Sequence, residues 1–61
     1  MPEALLTQQQ LADELQVTVR TLERWRQEGT GPAFIRVGRS PRYQRSDIDA
    51  WLKRQRRSQA E

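Results

Sequence analysis

Two helix starts follow each other closely near the beginning of this chain, and their spacing limits the folds that it can adopt. Thr7 has the features of an N-cap, because Gln10 three residues later completes a capping box. Leu6 and Leu11 form the matching hydrophobic staple. Thr18 is a second candidate N-cap, so a first helix must end shortly before the next one begins.

The connection between these two helices is very short. The first helix is predicted over residues 8–15, and no glycine or proline marks its end at Gln16. In the second helix Leu22 and Trp25 share one face, and Gly29 stands where a C′ glycine closes a helix. Only two or three residues separate the helices, which is the connection length typical of a helix-turn-helix.

A basic hairpin is predicted after the second helix. Phe34–Val37 and Arg42–Gln44 are short β-prone stretches on either side of Gly38–Pro41. Pro41 cannot donate a ladder hydrogen bond, so we expect it in the turn or at the edge of the second strand.

A third helix follows the hairpin. Ser46 is its predicted N-cap, and Asp47 and Asp49 fall in a first turn where the helix dipole favours acidic side chains. The order helix, helix, hairpin, helix predicts a mainly α fold with a small β-hairpin, that is, a winged helix-turn-helix.

We expect one domain over residues 1–61, with an ordered part at 5–53 and a basic, partly frayed tail at 54–61. A chain of this length buries only about 60% of its unfolded surface, so its core is thin. The apolar residues expected to form that core are Leu6, Leu11, Leu15, Val17, Leu22, Trp25, Ile35, Val37, Tyr43, Ile48, Trp51 and Leu52.

Several functions are excluded by the residue types that the chain lacks. It has no cysteine and no histidine, so it forms no disulfide, and a zinc site would need carboxylates alone. We therefore expect no metal or cofactor, and no enzyme, since a Gly-rich phosphate loop and a serine near a base are also missing. Tyr43 alone is too little for topoisomerase-like chemistry. No apolar run reaches the ~18 residues of a membrane span, which favours a soluble intracellular protein.

The charges are unevenly distributed along the chain. The chain has eleven Lys and Arg residues and eight Asp and Glu residues, which gives a net charge of +3. The acids lie mostly in residues 3–28, whereas residues 36–57 are dominated by arginine. A GC-rich genome can explain an excess of arginine over lysine, but it does not explain this clustering. The pattern favours a polyanionic partner, and nucleic acid is the common one.

The second helix carries a candidate DNA-reading face. Arg20, Arg24 and Gln27 lie opposite its apolar side, and arginine can bind guanine while Thr and Val can contact a thymine methyl. The residues of the first turns predicted to contact DNA are Thr18, Val19, Arg20, Thr21 and Arg24. The alternative is a solvated face with Arg20–Glu23 and Arg24–Glu28 ion pairs; the short turn and the basic hairpin favour recognition.

The hairpin supplies the second predicted contact. A narrow basic loop can enter the minor groove, where arginine meets an enhanced negative potential. The residues predicted to contact DNA there are Arg36, Arg39, Ser40 and Arg42, and Arg45 lies further along the same arm. The alternative is that the hairpin carries these charged residues only for solubility and for protection of its strand edges. The basic residues after Leu52 suit either phosphate contact or the C-terminal end of the third helix.

Taken together, these motifs resemble the excisionase-like branch of the MerR-type winged helix-turn-helix superfamily. The resemblance spans about residues 5–53, and its most specific part is Arg36-Val37-Gly38-Arg39 followed by Asp47-Ile48-x-x-Trp51-Leu52. It implies that the second helix enters the major groove and that the hairpin tip enters the minor groove as a wing. Glu23 and Pro41 depart from the family pattern, so the resemblance implies no base preference.

The resemblance also implies a function. Excisionases bind attachment-site DNA cooperatively, bend it and direct an integrase toward excision. We therefore expect double-stranded DNA, an integrase and neighbouring copies of the chain as partners, with a monomer in solution and no small-molecule ligand. The same resemblance implies a cytoplasmic location, in a bacterium or a phage-infected cell. A small transcriptional regulator of a phage or mobile element is the main alternative. A phage packaging subunit and a module that docks an acidic protein are weaker ones, and a ligand-sensing activator would need a dimerisation helix and effector domain.

Overall fold

Three helices and three short strands follow one another in the computed structural model, which describes residues 5–56. The elements are β1 (Leu5–Thr7), α1 (Gln8–Leu15), α2 (Val19–Glu28), β2 (Ile35–Val37), β3 (Ser40–Gln44) and α3 (Arg45–Gln55). The predicted fold class, a mainly helical winged helix-turn-helix, is confirmed. Within these residues no helix is long and apolar enough to cross a membrane. The fraying expected at the end of the chain falls on residues outside this range.

Both predicted N-caps are present in the structure. The Oγ1 atom of Thr7 accepts from the backbone N–H of Gln10 at 3.1 Å, and the Gln10 side chain accepts from the Thr7 N–H at 2.9 Å. Thr18 Oγ1 accepts from the N–H of Thr21 at 3.1 Å. Each bond satisfies a backbone donor that the helix itself leaves free, so both helix starts are encoded locally.

The turn between α1 and α2 is closed by Gln16. This residue has left-handed backbone angles, with φ 60°, which are uncommon for a residue other than glycine. The N–H of Gln16 donates to Asp13 at 3.2 Å, and that of Val17 donates to Ala12 at 2.9 Å. This pair of bonds is a Schellman motif, and it ends α1 without the glycine that such a turn usually has.

The sheet contains a third strand that the sequence analysis did not predict. Its order is β1-β3-β2 with antiparallel neighbours, so the strand taken as one arm of a hairpin is the central one. Leu6 pairs with Tyr43, and Thr7 both ends β1 and caps α1. A strand of three residues is too short for a periodic signal, and its partner is remote in sequence.

The hairpin turn is tighter than predicted. Val37 pairs with Ser40, so the turn consists of Gly38 and Arg39 alone, and Gly38 has φ 62°. Positive φ at the first turn residue is the pattern of a type II′ turn, which requires glycine there. Pro41 lies in β3 rather than in the turn, and it is buried.

The start of α3 also differs from the prediction. Gln44 occupies the N-cap position without a side-chain capping bond, so the expected Ser46 N-cap is wrong, and Ser46 lies inside the helix. Asp47 falls in the first turn as expected, whereas Asp49 lies beyond it. The reason is that β3 runs directly into α3, which leaves no residue for a connecting loop.

The core is smaller than the predicted set of apolar residues. Leu11, Leu22, Tyr43, Ile48 and Trp51 are buried as expected, together with Ala12. Leu6, Leu15, Val17 and Trp25 pack partly buried against them, as do Val19 and Phe34, which were not predicted. Three assignments are wrong, because Ile35, Val37 and Leu52 are exposed to 37%, 47% and 37%. Side chains alternate between the faces of a sheet, so Ile35 and Val37 lie opposite the face of Tyr43.

A pair of tryptophans joins α2 to α3. The rings of Trp25 and Trp51 lie 5.2 Å apart at an interplanar angle of 42°, and Trp51 Nε1 donates to the Thr30 carbonyl at 2.9 Å. Gly31 passes so close that a Cβ atom there would lie 2.9 Å from the Cβ of Trp25. The loop after α2 is therefore fixed by the hydrogen bond from Trp51 to Thr30, and its close approach to Trp25 requires glycine at position 31.

An ion pair joins α1 to the start of α3. The two terminal guanidinium nitrogens of Arg45, Nη1 and Nη2, donate to the Glu14 carboxylate at 2.7 Å, and Asp49 Oδ1 lies 3.5 Å from Arg45 Nη1. The hydrogen bond from Arg45 holds the pKa of Glu14 below its ordinary value of 4.5. Arg45 was expected on the hairpin arm, and this position is a correction.

Replacing Trp51 should unfold most of the protein. Trp51→Ala removes a buried ring and its hydrogen bond, which costs ~3–5 kcal/mol. At about 0.05–0.15 kcal/mol per residue, a domain of this size has a total stability of only about 3–9 kcal/mol. Leu52→Ala is the matched control, since exposed substitutions usually change stability by about 0.5 kcal/mol or less. Thermal unfolding followed by circular dichroism measures both variants. Equal midpoints would show that the Trp25–Trp51 contact is not a main part of the core.

The Glu14–Arg45 pair should make stability depend on pH. Because the folded state lowers the pKa of Glu14, the stabilisation is present above the ordinary value of 4.5 and is lost as the pH falls below it. We expect Glu14→Gln to lower the melting temperature at pH 7, and the difference from wild type to shrink as the pH is lowered toward 3. Glu28→Gln is the control, since Glu28 lies 3.9 Å from Arg24 in a more exposed pair. A constant difference across this pH range would exclude Glu14 as its source.

Candidate nucleic-acid interface

The outward face of α2 forms a shallow depression, here called the α2 depression. It gathers most of the polar side chains that the helical wheel placed opposite the apolar face. Its lining residues are Thr18, Arg20, Thr21, Glu23, Arg24 and Gln27. Four of the five residues predicted to contact DNA from this helix therefore lie together on one surface.

Val19, the fifth predicted residue, lies elsewhere on α2. Its side chain is half-buried and packs against the hydrophobic core, on the same side of the helix as Leu22. Val19 does not line the α2 depression. A Val19 contact with a base remains a prediction, and the observed packing of its side chain accounts for an apolar residue at this position.

The charge of the α2 depression is only partly balanced within the protein. Arg24 lies 3.9 Å from Glu28, but both side chains are exposed, to 62% and 52%, and such pairs are weak. Among the residues that the structure describes, the Arg20–Glu23 ion pair of the alternative reading is not formed. Arg20 and Arg24 are like charges one helical turn apart, and an anion between them would reverse their repulsion.

Two hydroxyl groups stand at the start of α2. Thr18 Oγ1 already accepts from the Thr21 N–H, and the two hydroxyl oxygens lie 3.1 Å apart. One of the two hydroxyls donates to the other, so one O–H of the pair remains available to donate to another acceptor. Thr18 and Thr21 can therefore contact a base through a hydroxyl as well as through a methyl group.

The hairpin of β2 and β3, here called the wing, presents its predicted residues at different places. Arg39 lies at the tip, in the two-residue turn, and Ser40 begins β3 beside it. Arg42 lies on the outer sheet face, where its Nη1 donates to the Pro41 carbonyl at 3.0 Å. Arg36 is exposed on β2. Only Arg39 and Ser40 are at the tip itself.

A second depression lies between α2 and the wing, and we call it the junction depression. Its lining residues are Glu23, Arg26, Gln27, Phe34 and Arg36. The guanidinium carbons of Arg26 and Arg36 lie 5.8 and 5.6 Å from the centroid of the Phe34 ring. Arg26 Nη1 also donates to the Tyr43 hydroxyl at 3.0 Å.

Sequence analysis did not single out Arg26 or Phe34. The available signal was the position of Arg26 on the helical wheel, only about 40° from Leu22 and so beside the apolar face. A charged side chain there needs a buried polar partner, which the structure supplies as Tyr43. Within residues 5–56 no group of acidic, histidine or cysteine side chains is arranged to hold a metal ion.

Comparison with known proteins identifies the class of this fold. A sequence profile described as a helix-turn-helix domain matches residues 5–56, which is most of the chain and includes every element described above. No curated protein matches the sequence. The matched region contains the closely spaced pair α1 and α2, the α2 depression and the wing. The chain belongs to this family of helix-turn-helix DNA-binding domains.

Proposed function

We propose that this protein binds a specific double-stranded DNA site with α2 in the major groove and the wing in the adjacent minor groove. The observation that carries the proposal is the α2 depression, in which Arg20 and Arg24 stand beside Thr18 and Thr21 on the face away from the core. Arginine can form a bidentate pair with guanine O6 and N7, and threonine methyls can pack on thymine. The proposed wing contacts are Arg36, Arg39, Ser40 and Arg42.

We further propose that the biological role is that of an excisionase, which bends attachment-site DNA and directs an integrase toward excision. The support is the resemblance of residues 5–53 to the excisionase-like branch, above all in the wing sequence and the start of α3. One small domain makes few phosphate contacts, so useful affinity requires neighbouring copies on adjacent sites. A transcriptional regulator would use the same DNA-binding face.

Substitutions in the α2 depression should change base preference. Arg20→Ala or Arg24→Ala should cost roughly 1–3 kcal/mol on the preferred site and much less on unrelated duplexes, because a base contact is lost. Selection from a random duplex pool, followed by fluorescence anisotropy, identifies the site and measures the affinities. Unchanged preference in both variants would exclude this face as the reading surface.

Substitution at the wing tip should act differently. Arg39→Ala should weaken binding to all duplexes alike and lower the salt slope by about one unit, because a phosphate contact carries no sequence information. Titrations at several salt concentrations measure that slope. A variant with wild-type affinity and slope would show that the tip does not contact DNA.

The excisionase role is tested on duplexes tiled across the genetic neighbourhood of the gene. Gel shifts near physiological ionic strength, about 0.15 M, with competitor DNA report the complexes formed. Stepwise, cooperative shifts on a tile beside an integrase gene are the expected result. A single shift on a promoter tile would favour a regulator. If no tile gives a shift and the duplex selected from the random pool gives none either, the DNA-binding proposal is overturned.

A further inference from the structure

We infer that the junction depression is a phosphate-binding site for the DNA strand that separates the two grooves, with Arg26 and Arg36 as its ligands. This inference rests on the proposed DNA binding and adds a contact to it. Arg26 comes from α2 and Arg36 from β2, and the Phe34 ring lies between the two elements. The site is thus built from residues of both DNA-binding elements.

The two guanidinium groups lie beside the same aromatic ring. Each lies within about 6 Å of the same Phe34 ring, the distance at which a cation is attracted to an aromatic face. Arg26 is fixed further by its bond to the Tyr43 hydroxyl, and Tyr43 is only 1% exposed. An arginine held on a ring loses less entropy on binding and keeps N–H donors for a phosphate.

The position of the depression determines which part of DNA it would meet. The major and minor grooves of a duplex share a phosphodiester strand at their common border. If α2 occupies one groove and the wing occupies the next, that strand passes between them. The junction depression lies at this place, and its lining contains two guanidinium groups and one carboxylate. The carboxylate is Glu23, which lines the α2 depression as well.

Arg26 has a structural role that the test must separate from phosphate binding. Its bond to Tyr43 connects α2 with the central strand, so loss of Arg26 can change stability without any effect on DNA. Tyr43→Phe removes that bond and keeps the guanidinium charge. Arg36 is exposed and has no such bond among the described residues, so Arg36→Gln tests the site with the fold intact.

The first measurement is the salt dependence of binding to a mixed-sequence duplex, by fluorescence anisotropy with the full chain. Each phosphate contact contributes about 0.9 to the slope of log affinity against log salt concentration. We expect Arg26→Gln and Arg36→Gln each to lower the slope by about that amount, and Tyr43→Phe and Arg26→Lys to keep it. Circular dichroism verifies that each variant is folded. If Arg26→Gln does not fold, the slopes of Arg36→Gln and Arg26→Lys still test the phosphate site.

The second measurement locates the phosphate on the duplex selected for tightest binding. Single methylphosphonates replace, one at a time, the phosphates between the major-groove and minor-groove contacts. Removing the right charge should weaken the wild-type protein several-fold and have little further effect on Arg36→Gln, because the contact is already lost. Arg39→Gln is the matched control: it also lacks one wing arginine, but it should remain sensitive to that phosphate.

The outcomes separate this inference from the proposed function. Reduced slopes together with coupling between Arg36 and one phosphate support the site. Unchanged slopes in Arg36→Gln and Arg26→Gln, with binding that still depends on Arg20 and Arg24, overturn the site and the Arg36 contact and leave the rest of the proposed function standing. A wild-type protein that binds neither the mixed-sequence nor the selected duplex overturns both.

Discussion

The burial of Tyr43 is the contact on which the arrangement of the other elements depends. It lies on the central strand, is 1% exposed, and packs in the core with Leu11 and Leu22 from the first two helices. Its hydroxyl would be an unsatisfied polar group without the bond from Arg26. The same side chain that completes the core therefore also links α2 to the wing, the two elements that carry the proposed DNA contacts.

Much of the fold could be predicted because its signals are local. The Thr7 and Thr18 caps and the glycine that ends α2 involve residues three or four positions apart. The features that escaped prediction depend on tertiary contacts. β1 exists because it pairs with β3, which lies far along the chain, and Ile35 is exposed because the pairing register turns it to the outer face. That register is set by the pairing of the strands in the folded protein and could not be deduced from the sequence.

The candidate site likewise contains residues that the sequence could assign and residues whose position depends on tertiary contacts. A helical wheel suffices to gather Arg20 and Arg24 on one face, because α2 is regular and its apolar side is clear. Arg26 could not be assigned by that method. Its wheel position borders the core, and its partners Tyr43 and Phe34 come from other elements. Charge clustering located the basic half of the chain but could not distinguish Arg45, which pairs with Glu14, from the exposed wing arginines.

The position of Pro41 has a consequence for self-association. Pairs in an antiparallel ladder alternate, so the backbone of Pro41 points away from β2, toward the side where β1 has already ended. A strand from another molecule that paired at this position would need a free backbone N–H donor and a free carbonyl acceptor there. Proline supplies no N–H, and the carbonyl is taken by Arg42. Strand addition at this position of the sheet is therefore disfavoured.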